Sequence, residues 1–215
     1  MITTILFDND GVLVDTERLY LQATREVLAT VGVDLTVELY IDHSLTRGRN
    51  TMALAAERGV SEREVALLRA RRNARYSELL QETHCVIDGI EQTLQSLHGK
   101  FSMGVVTGSR RDHFEIIHAR SGLMKYFEFH VTREDYKESK PAPDAYLEAM
   151  KRRSLSPECC VAIEDSPRGC EAAAAAGLRC LVIPTALTKN SEFCRAHRLL
   201  KAASEIPAEL MSLKV

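Results

Sequence analysis

Five short apolar runs constrain the fold of this chain more than any other feature of its sequence. They cover residues 2–7, 101–107, 127–131, 161–163 and 180–183. The helical stretches between them cover roughly 89–99, 109–120, 143–153 and 167–176. Continuous apolar runs of this length are typical of strands buried on both faces, and strands that alternate with helices form a parallel sheet. The sequence therefore predicts an α/β fold with a doubly wound parallel sheet.

One long segment, from about residue 16 to residue 84, interrupts this alternation because it contains no strand-like run. Helices are predicted there over 16–31, 49–58 and 61–81, and Ser61-Glu62-Arg63-Glu64 has the form of a capping box. The segment begins just after the first strand, at the edge where such sheets bind ligands. We therefore expect an α/β core made of residues 1–15 and 85–215, and an inserted all-helical cap made of residues 16–84.

Composition excludes several classes of protein. The 215 residues include 28 Lys+Arg and 30 Asp+Glu, so the basic excess of a nucleic-acid-binding protein is missing. No apolar run approaches the ~18 residues that cross a bilayer, and the N-terminus lacks the pattern of a secretory signal. The 6 cysteines form neither a C-x-x-C pair nor a zinc-like cluster with histidine. We expect a cytoplasmic protein with reduced cysteines and with no nucleic-acid or membrane partner.

Polar residues follow the first two predicted strands. The first strand is followed by Asp8-Asn9-Asp10-Gly11. Side chains two apart in an extended chain point the same way, so both carboxylates should face one site while Asn9 faces away. The second strand ends at Thr107-Gly108-Ser109. Glycine allows a ligand to approach the backbone there, and Ser109 is expected to cap the next helix, whose N-terminus suits a phosphate.

Two further segments carry a lysine and a second pair of acids. Lys140-Pro141-Ala142-Pro143 places one lysine in a stretch stiffened by prolines. Glu164-Asp165-Ser166-Pro167 follows another strand, with Ser166 as the expected cap and Pro167 as the first helical residue. Taken singly, each segment also fits a turn, a helix cap or a solvated charge. Taken together at one sheet edge, acids for a hard cation and donors for an anion indicate a Mg²⁺ and phosphate site.

The order of these motifs resembles the haloacid dehalogenase (HAD) superfamily. The motifs are Asp8-x-Asp10-Gly11-Val12-Leu13-x-Asp15-Thr16, Val106-Thr107-Gly108-Ser109, Lys140-Pro141-Ala142-Pro143-Asp144 and Ile163-Glu164-Asp165-Ser166. The chain is most similar to the β-phosphoglucomutase-like phosphatases, which carry a helical cap after the first strand. The resemblance extends from Ile2 to about Pro184, and Asn9 departs from it because relatives usually have an apolar residue there.

The resemblance implies a role for each motif residue. Asp8 is the nucleophile that forms an aspartyl-phosphate, and Asp10 is the general acid and base. Thr107 and Lys140 hold the phosphoryl oxygens, and Gly108 contributes its backbone. The implied Mg²⁺ ligands are Asp8, the backbone carbonyl of Asp10, and Asp165, with Glu164 in support. A covalent intermediate divides one difficult displacement into two easier ones.

Two arginines and a tyrosine of the predicted cap bear on the substrate. Arg72 falls in the middle of the apolar stripe of the third cap helix, where an unpaired charge is costly. It either pairs with an acid such as Glu57 or contacts the substrate, as the resemblance implies for Arg72 and its neighbour Asn73. Arg49 resembles a cap arginine that binds a substrate phosphate. Tyr20 occupies the position of a histidine used by the phosphomutases, and its pattern is that of a core residue.

The function expected from these residues is Mg²⁺-dependent hydrolysis of a small phosphorylated metabolite, most simply a sugar phosphate. A phosphomutase of the same fold remains open, because it shares the core motifs. A dehalogenase needs neither the second acid nor a metal, so Asp10 and the Glu164-Asp165 pair argue against it. A receiver-type phosphoacceptor domain is shorter and has no inserted cap. A monomer is expected, since one chain can close its own site.

Overall fold

The computed structural model describes residues 1–213, and it contains a single six-stranded sheet. The strands are β1 (Thr4–Phe7), β2 (Ser102–Val106), β3 (Phe129–Val131), β4 (Cys160–Glu164), β5 (Arg179–Val182) and β6 (Arg198–Leu199). The sheet order is β3-β2-β1-β4-β5-β6, and every neighbouring pair is parallel. The predicted α/β class is thereby confirmed. The strand β6 was not predicted, because two exposed residues leave no apolar run in the sequence.

Helices cover both faces of this sheet. Those outside the insert are α5 (Ile90–Leu97), α6 (Arg111–His118), α7 (Asp144–Arg152), α8 (Pro167–Ala175) and α9 (Ile206–Ser212). Side chains of β1 alternate between the two layers. Ile5 and Phe7 pack with α5, α6 and α9, whereas Leu6 packs with α7 and α8. All three are fully buried, which explains why β1 is apolar without interruption.

The helical insert lies between β1 and α5, as the sequence predicts. Its helices are α1 (Glu17–Ala29), α2 (Val37–Tyr40), α3 (Ala53–Glu57) and α4 (Glu62–Glu82), with a π-helical turn at Ile41–Thr46. Apolar residues of the insert form a core of their own, which includes Leu28, Leu35 and Met52. Ser61 caps α4 as predicted, because its hydroxyl accepts a hydrogen bond from the Glu64 amide at 3.3 Å.

The helix predicted over residues 49–58 is wrong in its extent. Only Ala53–Glu57 is helical, and the sequence also gave no sign of α2 or of the π-helical turn. The side chain of Asn50 accepts a hydrogen bond from the Met52 amide at 3.0 Å. Asparagine bonded in this way offers the backbone an alternative to the helix, so the helical conformation begins later. Among the described helices, none is both long and apolar enough to cross a membrane.

Candidate active site

The four sequence segments singled out above lie together at the carboxyl edge of the sheet. Asp8 and Thr107 follow β1 and β2, which are neighbours, and Glu164 ends β4 on the other side of β1. Lys140 comes from the loop before α7. Its Nζ lies 3.1 Å from Asp8 Oδ1 and 2.7 Å from Glu164 Oε1. The structure therefore brings the predicted nucleophile, lysine and acids into one cluster.

Three carboxylates in this cluster lie close enough to share one ion. Oxygens of Asp8, Glu164 and Asp165 all lie within 4.8 Å of one another, and each residue is buried. Burial and the neighbouring Glu164 raise the pKa of Asp8 to about 8, against the opposing influence of Lys140. Burial, then Asp8 and Glu164, raise the pKa of Asp165 well above its ordinary value. These three acids repel one another unless positive charge lies between them.

Lys140 supplies only part of that positive charge. Burial opposes its protonation, but Asp8 and Glu164 hold its pKa above the ordinary value, so it stays charged. Its ammonium also donates to the Val106 carbonyl at 3.0 Å. Glu164 Oε2 and Asp165 Oδ2 remain buried without a hydrogen-bond partner. Unpaired carboxylate oxygens are costly inside a protein, and the three carboxylates of the cluster fit a hard divalent cation such as Mg²⁺.

Two glycines leave room for the carboxylates of Asp165 and Glu164. Gly11 has a φ of +83°, and a Cβ there would lie 2.1 Å from Asp165 Oδ2. A Cβ on Gly169, in the first turn of α8, would lie 1.9 Å from Glu164 Oε2. Any side chain at either position would push a carboxylate out of the cluster. The absence of a side chain at both positions therefore leaves the room that the two acids occupy.

Asp10 lines the same cavity as Asp8, but its carboxylate is outside the three-acid cluster. It accepts hydrogen bonds from the hydroxyls of Thr16, Ser109 (2.7 Å) and Thr107 (3.2 Å). The prediction that Ser109 caps the following helix is wrong. The helix α6 starts at Arg111 with no side-chain cap, because the Ser109 hydroxyl is bonded to Asp10 instead. Ser166, in contrast, caps α8 as predicted.

Asn9, between the two aspartates, faces away from the site as expected. It is fully buried, and its Oδ1 lies 2.8 Å from His118 Nε2. The backbone carbonyl of Asn9 accepts hydrogen bonds from the amides of Val12, Leu13 and Val14. This turn leads the chain from β1 towards the insert.

A cavity of about 450 Å³ opens above the acids, between the sheet edge and the insert. Its wall comes from both parts of the chain, with Gly108 and Ser109 from the core and Tyr20 and Asn73 from the insert. The basic residues in the wall are Arg49, Arg69, Arg72, Arg110, Arg133, Lys140 and Arg168, and the acidic ones are Asp8, Asp10 and Glu17. This excess of cations makes the cavity suited to an anionic ligand.

Arg72 is the most buried of the arginines in the cavity wall, at 6% exposure. Its Nε donates to Asn73 Oδ1 at 2.9 Å, and its guanidinium lies 4.3 Å from the centre of the Tyr20 ring. Nη1 has no hydrogen-bond partner. Within residues 1–213, no ion pair joins Arg72 to Glu57 or to another acid, so the structural alternative for this arginine is not observed. Tyr20 packs in the core as predicted, and it also lines the cavity.

Arg49 also lines the cavity, on the loop before α3. The adjacent Gly48 has a φ of +64°, and a Cβ there would lie 2.7 Å from the Lys140 carbonyl oxygen. The loop of the insert therefore lies directly against the loop that carries Lys140. Glycine is needed at this approach both for its φ and for space.

Sequence reasoning missed a second ionic group in the wall. Arg168, in the first turn of α8, has Nη2 at 3.5 Å from Glu17 Oε1, and the Tyr40 hydroxyl donates to the other oxygen of Glu17. Burial raises the pKa of Glu17, which Arg168 partly offsets. The positions carried a signal, since Glu17 follows the first motif and Arg168 follows Ser166-Pro167. Nothing in the sequence indicated that these two residues pair across the insert and the core.

A parallel sheet with a helical insert after β1, and with paired acids and a lysine at its carboxyl edge, defines a class of hydrolase. The family model described as haloacid dehalogenase-like hydrolase matches residues 5–183. The chain belongs to this family, as its motifs predict, and it is an enzyme of the hydrolase class.

Several relatives match along most of the chain. Protein CbbY from Cereibacter sphaeroides is 32% identical over 96% of this chain and 94% of its own length. The fructose-1-phosphate phosphatase YqaB from Escherichia coli is 33% identical over 81% of this chain and 92% of its own. A crystal structure of a CbbY variant from Rhodobacter sphaeroides in complex with xylulose-(1,5)bisphosphate superposes with a TM-score of 0.82 at 30% identity, covering 95% and 96% of the two chains.

Proposed function

We propose that this protein is a Mg²⁺-dependent phosphatase that hydrolyses a small phosphorylated sugar through an aspartyl-phosphate on Asp8. The observation that carries the proposal is the cluster at the base of the cavity. Lys140 lies between Asp8 and Glu164, at 3.1 and 2.7 Å, and Asp165 completes a set of three buried acids. A phosphate dianion can approach an anionic nucleophile only where such positive charge is available.

The proposed roles follow from where each group lies. Asp8 Oδ2 is the carboxylate oxygen left free by Lys140 for attack on phosphorus. Lys140 and the hydroxyl of Thr107 bind the phosphoryl oxygens, together with backbone amides near Gly108. Asp10 protonates the leaving oxygen and then takes a proton from the water that attacks the intermediate. The hydroxyls of Thr16 and Ser109 hold the carboxylate of Asp10 in place during both steps.

Mg²⁺ is the proposed cofactor. Asp8 and Asp165 would hold it directly, together with the Asp10 backbone carbonyl, while Glu164 supports the site through Lys140 and the Tyr146 hydroxyl. When bound, the cation neutralises charge between the phosphate and Asp8. The unpaired oxygen of Asp165 supports this assignment.

The sugar phosphate as substrate is supported by the cavity and by the relatives. A volume of about 450 Å³ suits a small metabolite, and its cationic wall suits one or more phosphates. One relative is named for fructose 1-phosphate, and the CbbY crystal structure contains a sugar bisphosphate. Arg49 and Arg72 are the residues of the insert that we assign to substrate binding.

Tyr20 favours hydrolysis over transfer of the phosphoryl group to a second hydroxyl. The phosphomutases that the motifs resemble use a histidine here to couple sugar binding to the acid–base aspartate. A phenol titrates far above neutral pH and cannot replace an imidazole in that role. We therefore expect water to reach the aspartyl-phosphate. Residues 16–84 act as the cap in this proposal. The enzyme works as a monomer, because core and cap of one chain both line the cavity. It works in the cytoplasm, without a nucleic-acid or membrane partner.

The test is phosphate release from a panel of sugar phosphates and p-nitrophenyl phosphate, with Mg²⁺ and with EDTA. We expect Mg²⁺-dependent release that Asp8→Asn abolishes. Residual activity of Asp8→Asn within about tenfold of wild type, ~1.4 kcal/mol in barrier, would reject Asp8 as nucleophile.

A second assay supplies β-glucose 1-phosphate with a trace of the 1,6-bisphosphate. Rapid formation of glucose 6-phosphate with little free phosphate would show that the enzyme is a mutase.

A further inference from the structure

Arg168 is a core residue that lines the cavity and remains accessible from it. Its side chain is 30% exposed, in a wall that also contains Glu17 and Tyr40 of the insert. Burial opposes protonation of Arg168, but the negative charges around it, above all Glu17, hold its pKa above the ordinary value. A ligand in the cavity therefore meets a charged guanidinium that it can reach.

Most N–H groups of Arg168 have no acceptor in the protein. Its contact with Glu17 is an ion pair at 3.5 Å, and within residues 1–213 its guanidinium donates no hydrogen bond. Two other arginines of the same wall, Arg110 and Arg133, each donate two hydrogen bonds to protein acceptors. A guanidinium has five donors in a planar fork, and enclosing such a group without acceptors is costly. The donors of Arg168 are therefore available to a ligand.

The position of Arg168 relative to the reacting groups limits which part of a substrate it can bind. Asp8 and Asp165 contribute to its raised pKa, but in the described part of the chain neither forms an ion pair with it. Lys140, in contrast, lies 3.1 Å from Asp8 Oδ1. Arg168 is thus further from Asp8 than Lys140 is, and it lies on the side where the insert contributes Glu17. This position suits the part of the substrate beyond the transferred phosphate.

The group that fits Arg168 best is an anion. A guanidinium fork matches the two oxygens of a carboxylate or a phosphate, and such pairs are stronger than bonds to neutral acceptors. Glu17 offsets the charge of Arg168 only in part, because the pair is 3.5 Å long and the Tyr40 hydroxyl also donates to Glu17. Basic residues also outnumber acidic ones in the cavity wall.

We propose that Arg168 binds a second anionic group of the substrate, a carboxylate or a phosphate beyond the one that is transferred. The enzyme is then selective for phosphate esters that carry such a group. The inference rests on the proposed phosphatase function and deepens it, because it restricts the substrate to a phosphorylated sugar acid or a sugar bisphosphate. It adds Arg168, which lies outside the sequence motifs, to the substrate-binding residues.

The experiment compares kcat/KM within two pairs of esters that differ in one anionic group. 3-Phosphoglycerate has a carboxylate where glycerol 3-phosphate has a hydroxymethyl group, and fructose 1,6-bisphosphate has a phosphate that fructose 1-phosphate lacks. We expect the wild type to prefer the ester with the second anion by at least about tenfold in at least one pair. The pair that shows this preference identifies the bound group as a carboxylate or a phosphate.

Two substitutions of Arg168 test whether this residue causes the preference. Arg168→Met keeps much of the side-chain length but removes the charge and the donors. We expect it to reduce the preference to less than about twofold, chiefly through a loss on the ester with the second anion. Arg168→Lys keeps the charge without the fork, so its preference should lie between those of wild type and Arg168→Met.

Two further variants separate substrate binding from a structural ion pair. Glu17→Gln removes the partner's charge but leaves Arg168 in the wall, so the preference should remain. Arg195→Met is the matched control, because Arg195 Nη1 lies 3.8 Å from Glu171 Oε2 of the same helix α8, and both residues are exposed and outside the cavity. It should leave kcat/KM unchanged for all four esters.

Two results would overturn the inference alone. One is an equal loss on all four esters in both Arg168→Met and Glu17→Gln, which would show a structural ion pair. The other is a wild type that hydrolyses these esters or p-nitrophenyl phosphate but prefers neither ester with a second anion. A wild type that releases phosphate from none of the compounds would overturn the proposed function and this inference with it.

Discussion

Burial makes the charged form of Asp8 costly, and this cost should be measurable in the pH dependence of the unfolding free energy. The residue is 8% exposed, and burial with Glu164 raises its pKa to about 8, despite the nearby Lys140. An ordinary aspartate titrates near 3.8. Between these two values the folded protein keeps a proton that the unfolded chain has already released.

The sign and size of the effect follow from proton linkage. The folded state binds the extra proton. This contribution to stability is therefore complete below the pKa of Asp8 in the unfolded chain, and it is lost as pH rises through the pKa of Asp8 in the folded protein. The loss is about 1.4 kcal/mol per pH unit for one proton. Over the interval between the two pKa values it amounts to several kcal/mol. Asp8→Asn has no such proton, so in EDTA it should match wild type near pH 4 and be more stable by several kcal/mol near pH 8.

The assay is urea unfolding from pH 4 to 8.5, in EDTA and in Mg²⁺. In Mg²⁺ the wild type should recover most of the difference, because the cation favours the ionised carboxylate and binds only the folded state. The exposed Asp34 provides a matched control, and Asp34→Asn should follow wild type at every pH. Parallel pH curves for wild type and Asp8→Asn, or a variant less stable than wild type at pH 8 in EDTA, would refute the reasoning.

Three further substitutions test other parts of the site. Asp165→Ala should weaken Mg²⁺ affinity and activity together, since hard cations need anionic oxygen ligands, and an unchanged Mg²⁺ dependence of the rate would contradict this. Arg72→Ala should lower kcat/KM for the best sugar phosphate by at least about tenfold while changing p-nitrophenyl phosphate less; equal losses would favour a structural role. Gly169→Ala should cost about 1–3 kcal/mol in unfolding free energy and also lower kcat, because its Cβ would lie 1.9 Å from Glu164 Oε2. A loss of stability with kcat unchanged would show that catalysis does not depend on the space that this glycine leaves for Glu164.

The strands and most helices could be predicted because each depends on a local pattern. The run that forms β1 is apolar on both faces, and Ile5 and Leu6 pack into different layers of the core. The errors occurred where a side chain has a choice of partners. Ser109 was expected to bond the backbone of α6, but it donates to Asp10 from a distant part of the chain. Asn50 accepts a hydrogen bond from the Met52 amide and delays a helix that was predicted to begin at residue 49.

The sequence by itself determined the parallel sheet and the placement of Asp8, Thr107, Glu164 and Asp165 at one edge. The physical reason is that residues that follow parallel strands must meet at the carboxyl end of the sheet. Only the tertiary structure decided which groups are paired. Arg168 of the core meets Glu17 of the insert, whereas Arg72 and His113, which line the same cavity, each keep a buried atom without a partner. These outcomes depend on distances between residues far apart in the chain, which no local pattern records.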